Sequence, residues 1–407
     1  MSTFCGKLEE KELGFIGIDS FESHLLSCST FMLSHFHKDH MRGIQDQSFQ
    51  AAFNNIKNNM ILYASPLTIT YLKRNKSINL REDKLIPLEI GFPNLLKVDS
   101  EHFEYICVTL LPAGHCPGSV MFLIEARPHR ILYTGDFRVQ LQDIKQFKPL
   151  LMDNDGNCGP KNISALYLDT TFASKKYYEF PMRKESSANL IKVVGEWLDQ
   201  DPDNKICLWM PGYVGIEYAI VEVAKHFKCS IHVHKQKYDE LYSSIADLDN
   251  YVTPILTNNR IHACSKTECD TDSINCMELN KNVKCVQLNA LAFTKDVIDI
   301  SGHVIVKNNI TRVCYSSHSS CKELREIVRF LNPEKLYFNV IVNQTVKEIY
   351  DILTENNWTP RTQKKDVKEN TKVILKLSNK YQYNQNVQNK TEKVFNKRPR
   401  IESPERE

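Results

Sequence analysis

The chain has 407 residues, of which 42% are hydrophobic and 10% aromatic, a composition that predicts two globular domains or one large domain with an insertion. Residues 1–12 are polar and charged and no apolar run is long enough to cross a bilayer, so we expect neither a secretory signal nor a transmembrane segment. The 13 cysteines are then expected to be reduced, as core residues or metal ligands.

The net charge of +3 is unevenly distributed between two parts of the chain. Residues 361–407 carry 13 Lys and Arg against 6 Asp and Glu, a net charge of +7, and the remainder carries 39 against 43, a net charge of −4. The body is therefore not a uniformly basic surface for nucleic acid, and it must bind any polyanion through a local patch or through metal ions.

Apolar runs in the first part of the chain predict strands, and Ser65-Pro66 predicts the start of a helix that continues to Lys73. The predicted strands are Phe15–Ile18, Thr30–Leu33, Met60–Tyr63, Tyr105–Leu111, Ser119–Ile124, Ile131–Tyr133 and Ala165–Leu168. Together with the later helices they indicate an α/β layered fold.

From about Glu185 the pattern changes to helices alternating with short strands, which favours a compact parallel-sheet module. The predicted helices are Ser187–Leu198, Ile216–Phe227, Tyr238–Leu248, Lys322–Leu331 and Val346–Thr354, and the predicted strands are Ile206–Trp209, Ile231–Val233, Thr311–Tyr315 and Lys335–Val342. Ser320 and Glu323 fit a capping box at the start of one of these helices.

Residues 361–407 are rich in Lys, Asn and Gln and are predicted to be disordered. Within them, Lys397–Arg400 is typical of a nuclear-import signal, but it is equally typical of a solvated charged tail.

The most informative pattern is His35-x-His37-x-Asp39-His40, which directly follows the predicted strand Thr30–Leu33. Isolated histidines are usually structural, whereas three imidazoles and a carboxylate in so short a loop need a cation to relieve their crowding. A pair of divalent metal ions meets that need.

Further ligands are predicted at the ends of other strands, where α/β folds build active sites. They are His115 in a glycine-rich loop, Asp136 in Tyr-Thr-Gly-Asp, Asp169 in Leu-Asp-Thr-Thr, and His318 in Ser-Ser-His-Ser-Ser. Alone, each acid would more often be a turn residue or a helix cap. Together with the histidine cluster they predict one metal centre.

Chemistry suggests how these ligands divide between two ions. We expect His35, His37 and His115 to hold the first ion, with Asp136 bridging to the second. The second ion would be held by Asp39, His40 and His318, with Asp169 either a ligand or an orienting residue. Imidazole-rich ligation favours Zn at the first position, whereas the second, richer in carboxylate, accepts Zn, Mg or Mn.

These motifs resemble the metallo-β-lactamase superfamily, and Leu-Asp-Thr-Thr-Phe with the module before His318 resembles its β-CASP nuclease branch. The likeness extends over about residues 13–355 and is carried by residues 31–43, 109–122, 132–138 and 167–172. It implies an αββα sandwich with an inserted β-CASP α/β module, and DNA lying in the cleft between them. It also implies that Asp19 supports the metal site and that Asp39, Asp136, Asp169 and His318 act in catalysis.

The domains expected from this resemblance are a sandwich formed by residues 1–170 and 309–360, a β-CASP module at 171–308, and a basic tail at 361–407. The implied function is that of a metal-dependent DNA endonuclease and 5′-3′ exonuclease that opens hairpins and trims overhangs in double-strand-break repair by non-homologous end joining. An RNA-processing β-CASP endonuclease, a small thioester or lactam hydrolase, and a non-catalytic repair scaffold are the alternatives.

The resemblance further implies a nuclear, monomeric protein whose main partner is DNA, without a membrane role. The DNA-dependent protein kinase catalytic subunit and the end-joining ligase complex are further partners that it implies. The family associates their recruitment with a long regulatory tail, whereas only residues 361–407 follow the nuclease core here.

A second cluster of histidines and cysteines lies in the inserted module. His232, His262, Cys264 and Cys276 are predicted to form a closed tetrahedral zinc site that stabilises the module. The alternative is that these residues are reduced core cysteines and surface histidines without a metal. The resemblance also allows a role for His262 as a general acid, as in RNA-cleaving relatives, but a zinc-bound imidazole cannot donate a proton.

Several cationic and hydroxyl residues are candidate contacts to the DNA backbone. Lys38 lies between two metal ligands, and Ser316, Ser319 and Ser320 flank His318 at a helix start, where anions bind well. Lys73, Arg74 and Arg183 are expected on basic rims, although such charges are often simply solvated. Binding through these contacts should weaken steeply with salt.

Overall fold

The architecture is seen in a computed structural model that describes residues 2–154, 157–209, 214–264, 282–308 and 310–354. Cys276, the nuclear-import cluster and the whole tail at 361–407 lie outside the described residues. Among the helices that are described, none combines the length and the apolar character that crossing a bilayer requires.

The strands in chain order are β1 Ile16–Ile18, β2 Thr30–Leu33, β3 Ile61–Ala64, β4 Leu85–Pro87, β5 Pro93–Lys97, β6 Tyr105–Pro112, β7 Val120–Ala126, β8 His129–Tyr133, β9 Leu151–Asn154, β10 Asn157–Pro160, β11 Ala165–Leu168, β12 Lys205–Trp209, β13 Ile231–His232, β14 Val252–Thr253, β15 Ile261–His262, β16 Val283–Asn289, β17 Val304–Lys307, β18 Ile310–Cys314 and β19 Lys335–Phe338. The α-helices are α1 Gln47–Asn54, α2 Pro66–Arg74, α3 Leu141–Ile144, α4 Arg183–Leu198, α5 Glu217–Phe227, α6 Lys235–Glu240, α7 Lys295–Ser301, α8 Cys321–Leu331 and α9 Val346–Thr354.

Two sheets form the centre of a sandwich. The first is parallel, in the order β1-β2-β3-β4, and the second is mixed, in the order β19-β11-β8-β7-β6-β5. Alternate residues of each strand point to opposite faces. Met32 and Phe122 therefore enter the core between the sheets, while Phe31 and Met121 pack beneath the outer helices. The result is the expected αββα sandwich.

A third sheet of seven strands forms the inserted module, in the order β14-β13-β15-β12-β16-β18-β17. Its strand pairs are parallel except for the edge strand β17. Helices α4 and α5 cover the module, and their apolar residues join the core beneath α1 and α2 of the sandwich. Because β18 belongs to this sheet, we place the end of the module after Cys314 instead of at residue 308.

Most predicted elements are present within a few residues, and the capping box of Ser320 and Glu323 is confirmed. The predicted helix Tyr238–Leu248 is wrong. Helix α6 ends at Glu240, where Leu241 leaves the helical conformation with φ of −125°, and short 3₁₀ turns follow. Asp247, with φ of +68°, also has a left-handed backbone that an α-helix does not contain. The strand predicted to reach Val342 stops at Phe338, since its partner β11 ends at Leu168.

Candidate functional site

The histidine-rich loop leaves β2 at Leu33 and turns back on itself. The backbone N–H of His37 donates to the His35 carbonyl at 3.1 Å, and that of His40 donates to the His37 carbonyl at 3.1 Å. These turns keep the side chains of the loop on one side of the strand end. His35 and His40 are fully buried, whereas Asp39 keeps 28% of its side chain exposed.

Three imidazoles converge where the first ion is expected. His37 Nδ1 lies 3.0 Å from His35 Nε2 and 3.1 Å from His115 Nε2, the latter supplied by the loop after β6. Asp136 Oδ2, at the end of β8, lies 3.7 Å from His35 Nε2 and 3.8 Å from His115 Nε2. Burial lowers the pKa of all three histidines, so their rings are neutral and carry lone pairs that a cation can accept.

A second group of ligands shares Asp136. His40 Nε2 lies 3.2 Å from Asp136 Oδ1 and 3.8 Å from Asp39 Oδ2, and it is a buried nitrogen that makes no hydrogen bond among the described residues. His318 Nε2 lies 4.0 Å from Asp136 Oδ2. Burial raises the pKa of Asp136, but His40 and His318 outweigh this and hold that pKa well below its ordinary range.

The donor atoms fit a pair of metal ions. In each of the groups His35–His37–His115–Asp136, Asp39–His40–Asp136 and Asp136–Asp169–His318, the potential ligand atoms lie within 4.8 Å of one another. Lone pairs from several neutral imidazoles and a shared carboxylate crowd unfavourably unless cations lie between them. The orphaned Nε2 of His40 is explained by the same requirement. The residues therefore suit the first ion, the second ion and the bridging role expected for Asp136.

Asp19 lies behind the ligands and accepts four hydrogen bonds. Its Oδ1 accepts from the Ser34 backbone N–H at 2.7 Å, and its Oδ2 lies 2.6 Å from Ser34 Oγ, 2.8 Å from His40 Nδ1 and 2.9 Å from Tyr133 Oη. The Ser34 hydroxyl also lies 2.9 Å from His35 Nδ1. Asp19 thus fixes the ring orientation of ligands from both groups. Sequence reasoning missed Ser34 and Tyr133, which carry no motif of their own.

Asp169 lies beside His318 instead of pointing freely into the centre. His318 Nδ1 and Asp169 Oδ2 are 2.8 Å apart. Burial lowers the pKa of His318, but the carboxylates of Asp169 and Asp136 outweigh it and raise that pKa. This placement favours the orienting role for Asp169 over the role of a ligand.

The second cluster assembles as far as the described residues extend. His232 Nδ1 lies 3.2 Å from His262 Nδ1 and 3.3 Å from Cys264 Sγ, and all three residues are buried. His262 Nε2 donates to the Asn259 carbonyl at 2.9 Å, which leaves Nδ1 as the nitrogen with a lone pair. Two imidazoles and a thiolate that face one another suit a tetrahedral zinc ion.

The residues expected to bind phosphate are placed in two different ways. Lys38 is exposed beside the ligands, whereas Ser316, Ser319 and Ser320 are buried. The Ser316 hydroxyl donates to the His318 carbonyl, and the Ser319 hydroxyl donates to the Phe137 carbonyl. The Ser320 hydroxyl accepts from the Glu323 backbone N–H. The three serines therefore stabilise the loop around His318, instead of contacting phosphate as expected from the sequence.

The basic rim residues are also engaged by the protein. Lys73 Nζ pairs with Glu82 at 3.0 Å, and Arg74 donates to Ser243 Oγ at 2.7 Å. Arg183 donates to the Gly114 carbonyl and is largely buried. Arg74 and Arg183 thus join the sandwich to the module, which corrects their expected role as free phosphate contacts. In the described part of the chain, Lys175, Lys176 and Tyr178 form the more exposed rim.

Comparison with known proteins supports the resemblance inferred from the motifs. The family model of DNA repair metallo-beta-lactamase matches residues 252–344. Protein artemis of Rattus norvegicus is 30% identical over 367 residues, covering 87% of this chain and 51% of that protein. Protein artemis of Homo sapiens is 30% identical over 369 residues, with coverages of 87% and 51%. The 5' exonuclease Apollo of Mus musculus is 28% identical over 308 residues, covering 75% of this chain and 50% of that protein.

The chain thus spans about half the length of the curated relatives it matches. A solved protein of unknown function from Enterococcus faecalis V583 aligns over 83% of this chain and 79% of that chain, but its TM-score of 0.45 at 14% identity is too low to support an argument. The fold, the motifs and the likeness to protein artemis agree with the match of residues 252–344 to the DNA repair metallo-beta-lactamase model.

Proposed function

We propose that the chain is a metal-dependent DNA endonuclease and 5′-3′ exonuclease that opens hairpins and trims overhangs during non-homologous end joining. The observation that carries this proposal is the position of Asp136, which belongs both to the imidazole group of His35, His37 and His115 and to the group of Asp39 and His40. A shared carboxylate between two ligand groups is the arrangement that two-metal phosphodiesterases need.

When bound, two divalent ions neutralise charge on a phosphodiester and lower the pKa of water enough to make a nucleophile near neutral pH. The protein supplies the geometry. His35, His37 and His115 would hold one ion and Asp39, His40 and His318 the other, and the Asp136 carboxylate would be available to both groups. Asp19 orients His40, while Asp169 holds the proton on His318 Nδ1 and leaves Nε2 directed at the centre.

The substrate would approach along the cleft between sandwich and module. Lys38 is exposed between two ligands, so its ammonium can meet a phosphate beside the cleaved bond. Lys175 and Lys176 are exposed at the start of the module, and the exposed ring of Tyr178 offers a surface on which an unpaired base can stack. These residues replace the buried serines, and the arginines that bond between sandwich and module, as the proposed backbone contacts.

The module is proposed to carry a structural zinc ion. His232, His262 and Cys264 would be three of its ligands, and Cys276, which lies outside the described residues, the fourth. His262 is only 1% exposed and donates its Nε2 proton to the Asn259 carbonyl. This burial favours the role of a zinc ligand over that of a general acid, which would have to reach the substrate.

The proposal includes a nuclear, monomeric protein with a sandwich of residues 1–170 and 315–360 around a module of 171–314. The relative called 5' exonuclease Apollo supports the exonuclease part. The DNA-dependent protein kinase catalytic subunit and the end-joining ligase complex are proposed as partners on the family resemblance alone.

The test is cleavage of a 5′-labelled DNA hairpin with a single-stranded overhang, with Mg or Mn, beside an RNA hairpin of the same sequence. Asp39→Ala removes a carboxylate of the second ligand group, and Asp46→Ala removes an exposed carboxylate just after the same loop as a matched control. We expect the wild type and Asp46→Ala to open DNA, and Asp39→Ala to lose that activity.

The rival functions give different results in the same assay. Cleavage of RNA alone would assign the chain to RNA processing. Metal binding without cleavage of either hairpin would favour a repair scaffold. Equal DNA cleavage by Asp39→Ala and the wild type would contradict the role of the second ligand group.

A further inference from the structure

One ligand of the sandwich is held by the backbone of the inserted module. His37 Nε2 lies 3.0 Å from the carbonyl oxygen of Val214, in the loop between β12 and α5. Because a carbonyl can only accept, His37 must carry its proton on Nε2. Its Nδ1 is then the unprotonated nitrogen, and this is the atom that faces His35 and His115.

The loop is in turn held by the first residue of α5. Glu217 is 5% exposed, and its Oε2 accepts a hydrogen bond from the Gly215 backbone N–H at 2.7 Å. Gly215 has φ of +133°, a backbone conformation that L-residues rarely adopt. The position of the Val214 carbonyl therefore depends on the Glu217 carboxylate and on the absence of a side chain at Gly215.

Glu217 lies where the module meets the sandwich. Burial raises the pKa of Tyr71 in α2, and the neighbouring Glu217 carboxylate raises that pKa further. The same two causes raise the pKa of Cys116, which follows the ligand His115. Val214 and Ile216, which flank Gly215, belong to the same apolar core as Phe36 beside His35. Val214 and Ile216 therefore pack in the core that the module shares with the sandwich, beside the candidate metal centre.

We propose that Glu217 and Gly215 are positioning residues that hold the Val214 carbonyl on His37, so that docking of the inserted module completes the first metal position. This rests on the proposed metal centre. The inference goes beyond that centre, because it makes the metal affinity of the sandwich depend on residues of the module that contribute no ligand. Partners that orient a metal-bound histidine typically change metal affinity by about 10- to 100-fold when they are lost.

The test measures cobalt binding by the metal-free full-length chain. The cysteine-containing site of the module gives a thiolate-to-cobalt charge-transfer band that the imidazole and carboxylate centre lacks. Because ligand-field bands arise from both sites, those of the imidazole centre are measured in a Cys264→Ala background. Glu217→Ala removes the acceptor for Gly215, and Gly215→Ala strains the loop without changing charge. Glu217→Gln keeps an acceptor oxygen in the same place.

Two controls match these variants. Glu222→Ala removes a carboxylate further along α5, and Gly195→Ala adds a methyl group in α4, where the new Cβ would meet Phe227 at an ordinary contact of 3.7 Å. Far-ultraviolet circular dichroism and thermal unfolding of the metal-free proteins show whether each variant folds.

We expect folded Glu217→Ala and Gly215→Ala to bind cobalt about 10- to 100-fold more weakly at the imidazole centre, with the thiolate band unchanged. Glu217→Gln and both controls should bind as the wild type does. Wild-type affinity in both loop variants would overturn the proposal. Absence of ligand-field bands in Cys264→Ala with an intact loop would instead contradict the metal centre on which the proposal rests.

Discussion

Asp169 Oδ2 accepts a hydrogen bond from His318 Nδ1 at 2.8 Å. The other acceptor positions of this carboxylate are also occupied. Oδ2 accepts from the Phe137 backbone N–H at 3.3 Å, and Oδ1 accepts from Thr171, at 3.0 Å from its backbone nitrogen and 2.6 Å from its hydroxyl. A carboxylate engaged in this way orients a ligand more effectively than it binds a metal. The histidine is thereby set with Nε2 toward the centre.

Asp169→Asn should therefore impair turnover more than metal content. The amide replaces one acceptor by a donor and weakens the hold on His318, so we expect kcat for hairpin opening to fall by about 10- to 100-fold. Elemental analysis should still find the ion bound by His35, His37 and His115. Asp143→Asn, an exposed substitution in α3, is the control. Loss of all metal from the centre in Asp169→Asn would show that Asp169 is a ligand itself.

Tyr133→Phe should destabilise the metal-free protein. The Tyr133 hydroxyl is fully buried and donates to Asp19 Oδ2 at 2.9 Å, and a hydrogen bond to a charged acceptor contributes about 1.5–3 kcal/mol. Chemical denaturation of the metal-free chain should show a loss of that size in the free energy of unfolding. Tyr105→Phe, at an exposed position of β6, should change it little. Equal stabilities of the two variants would contradict the support role of Tyr133.

Cys264→Ala should remove the structural zinc ion. Cys264 is buried with its sulfur 3.3 Å from His232 Nδ1, so its loss leaves an incomplete ligand set. We expect one zinc fewer per chain by elemental analysis and a lower melting temperature, because metal binding is coupled to folding in small modules. Cys229→Ala, at an exposed cysteine after α5, should retain both properties. Full zinc content in Cys264→Ala would contradict the site.

Binding of the second ion should release a proton from His40. Burial lowers the pKa of His40, but Asp136 and Asp19 outweigh it and raise that pKa well above its ordinary value, so the ring of the metal-free protein is protonated at neutral pH. Burial lowers the pKa of His318 too, but Asp169 and Asp136 outweigh it and raise that pKa as well. Affinity for the second ion should therefore rise with pH by about tenfold per unit for each of the two rings that is protonated. Burial lowers the pKa of His35, His37 and His115, so their group should release no proton.

Isothermal titration calorimetry in buffers of different ionisation enthalpy measures this proton release. At a pH near neutrality, the heat of binding for the second ion should differ between these buffers. An identical heat in all of them would mean that His40 is not protonated before the metal binds.

The candidate ligands could be recognised from the sequence because they come from motifs at strand ends. His35 to His40 lie on one loop, and His115, Asp136 and His318 each follow a strand whose apolar run is easy to recognise. These strands lie in three different sheets, so the sequence indicates that each residue follows a strand, whereas their convergence depends on how the sheets are arranged.

The contacts around that centre were not predictable, because they join residues far apart in the chain. The bond between Val214 and His37 depends on how the module docks, and that between Tyr133 and Asp19 on how two sheets face each other. The serines beside His318 show the opposite error. Their spacing is typical of an anion site, but local capping and bracing consume their hydroxyls.

The central claim is that two groups of metal ligands share the Asp136 carboxylate. Asp136→Ala tests this claim most directly. Metal content and opening of a DNA hairpin should be measured on the same preparations of wild type, Asp136→Ala and the exposed control Asp143→Ala. We expect two ions in the centre besides the zinc of the module, and loss of both hairpin opening and at least one ion in Asp136→Ala alone. Full metal content together with undiminished hairpin opening in Asp136→Ala would contradict it.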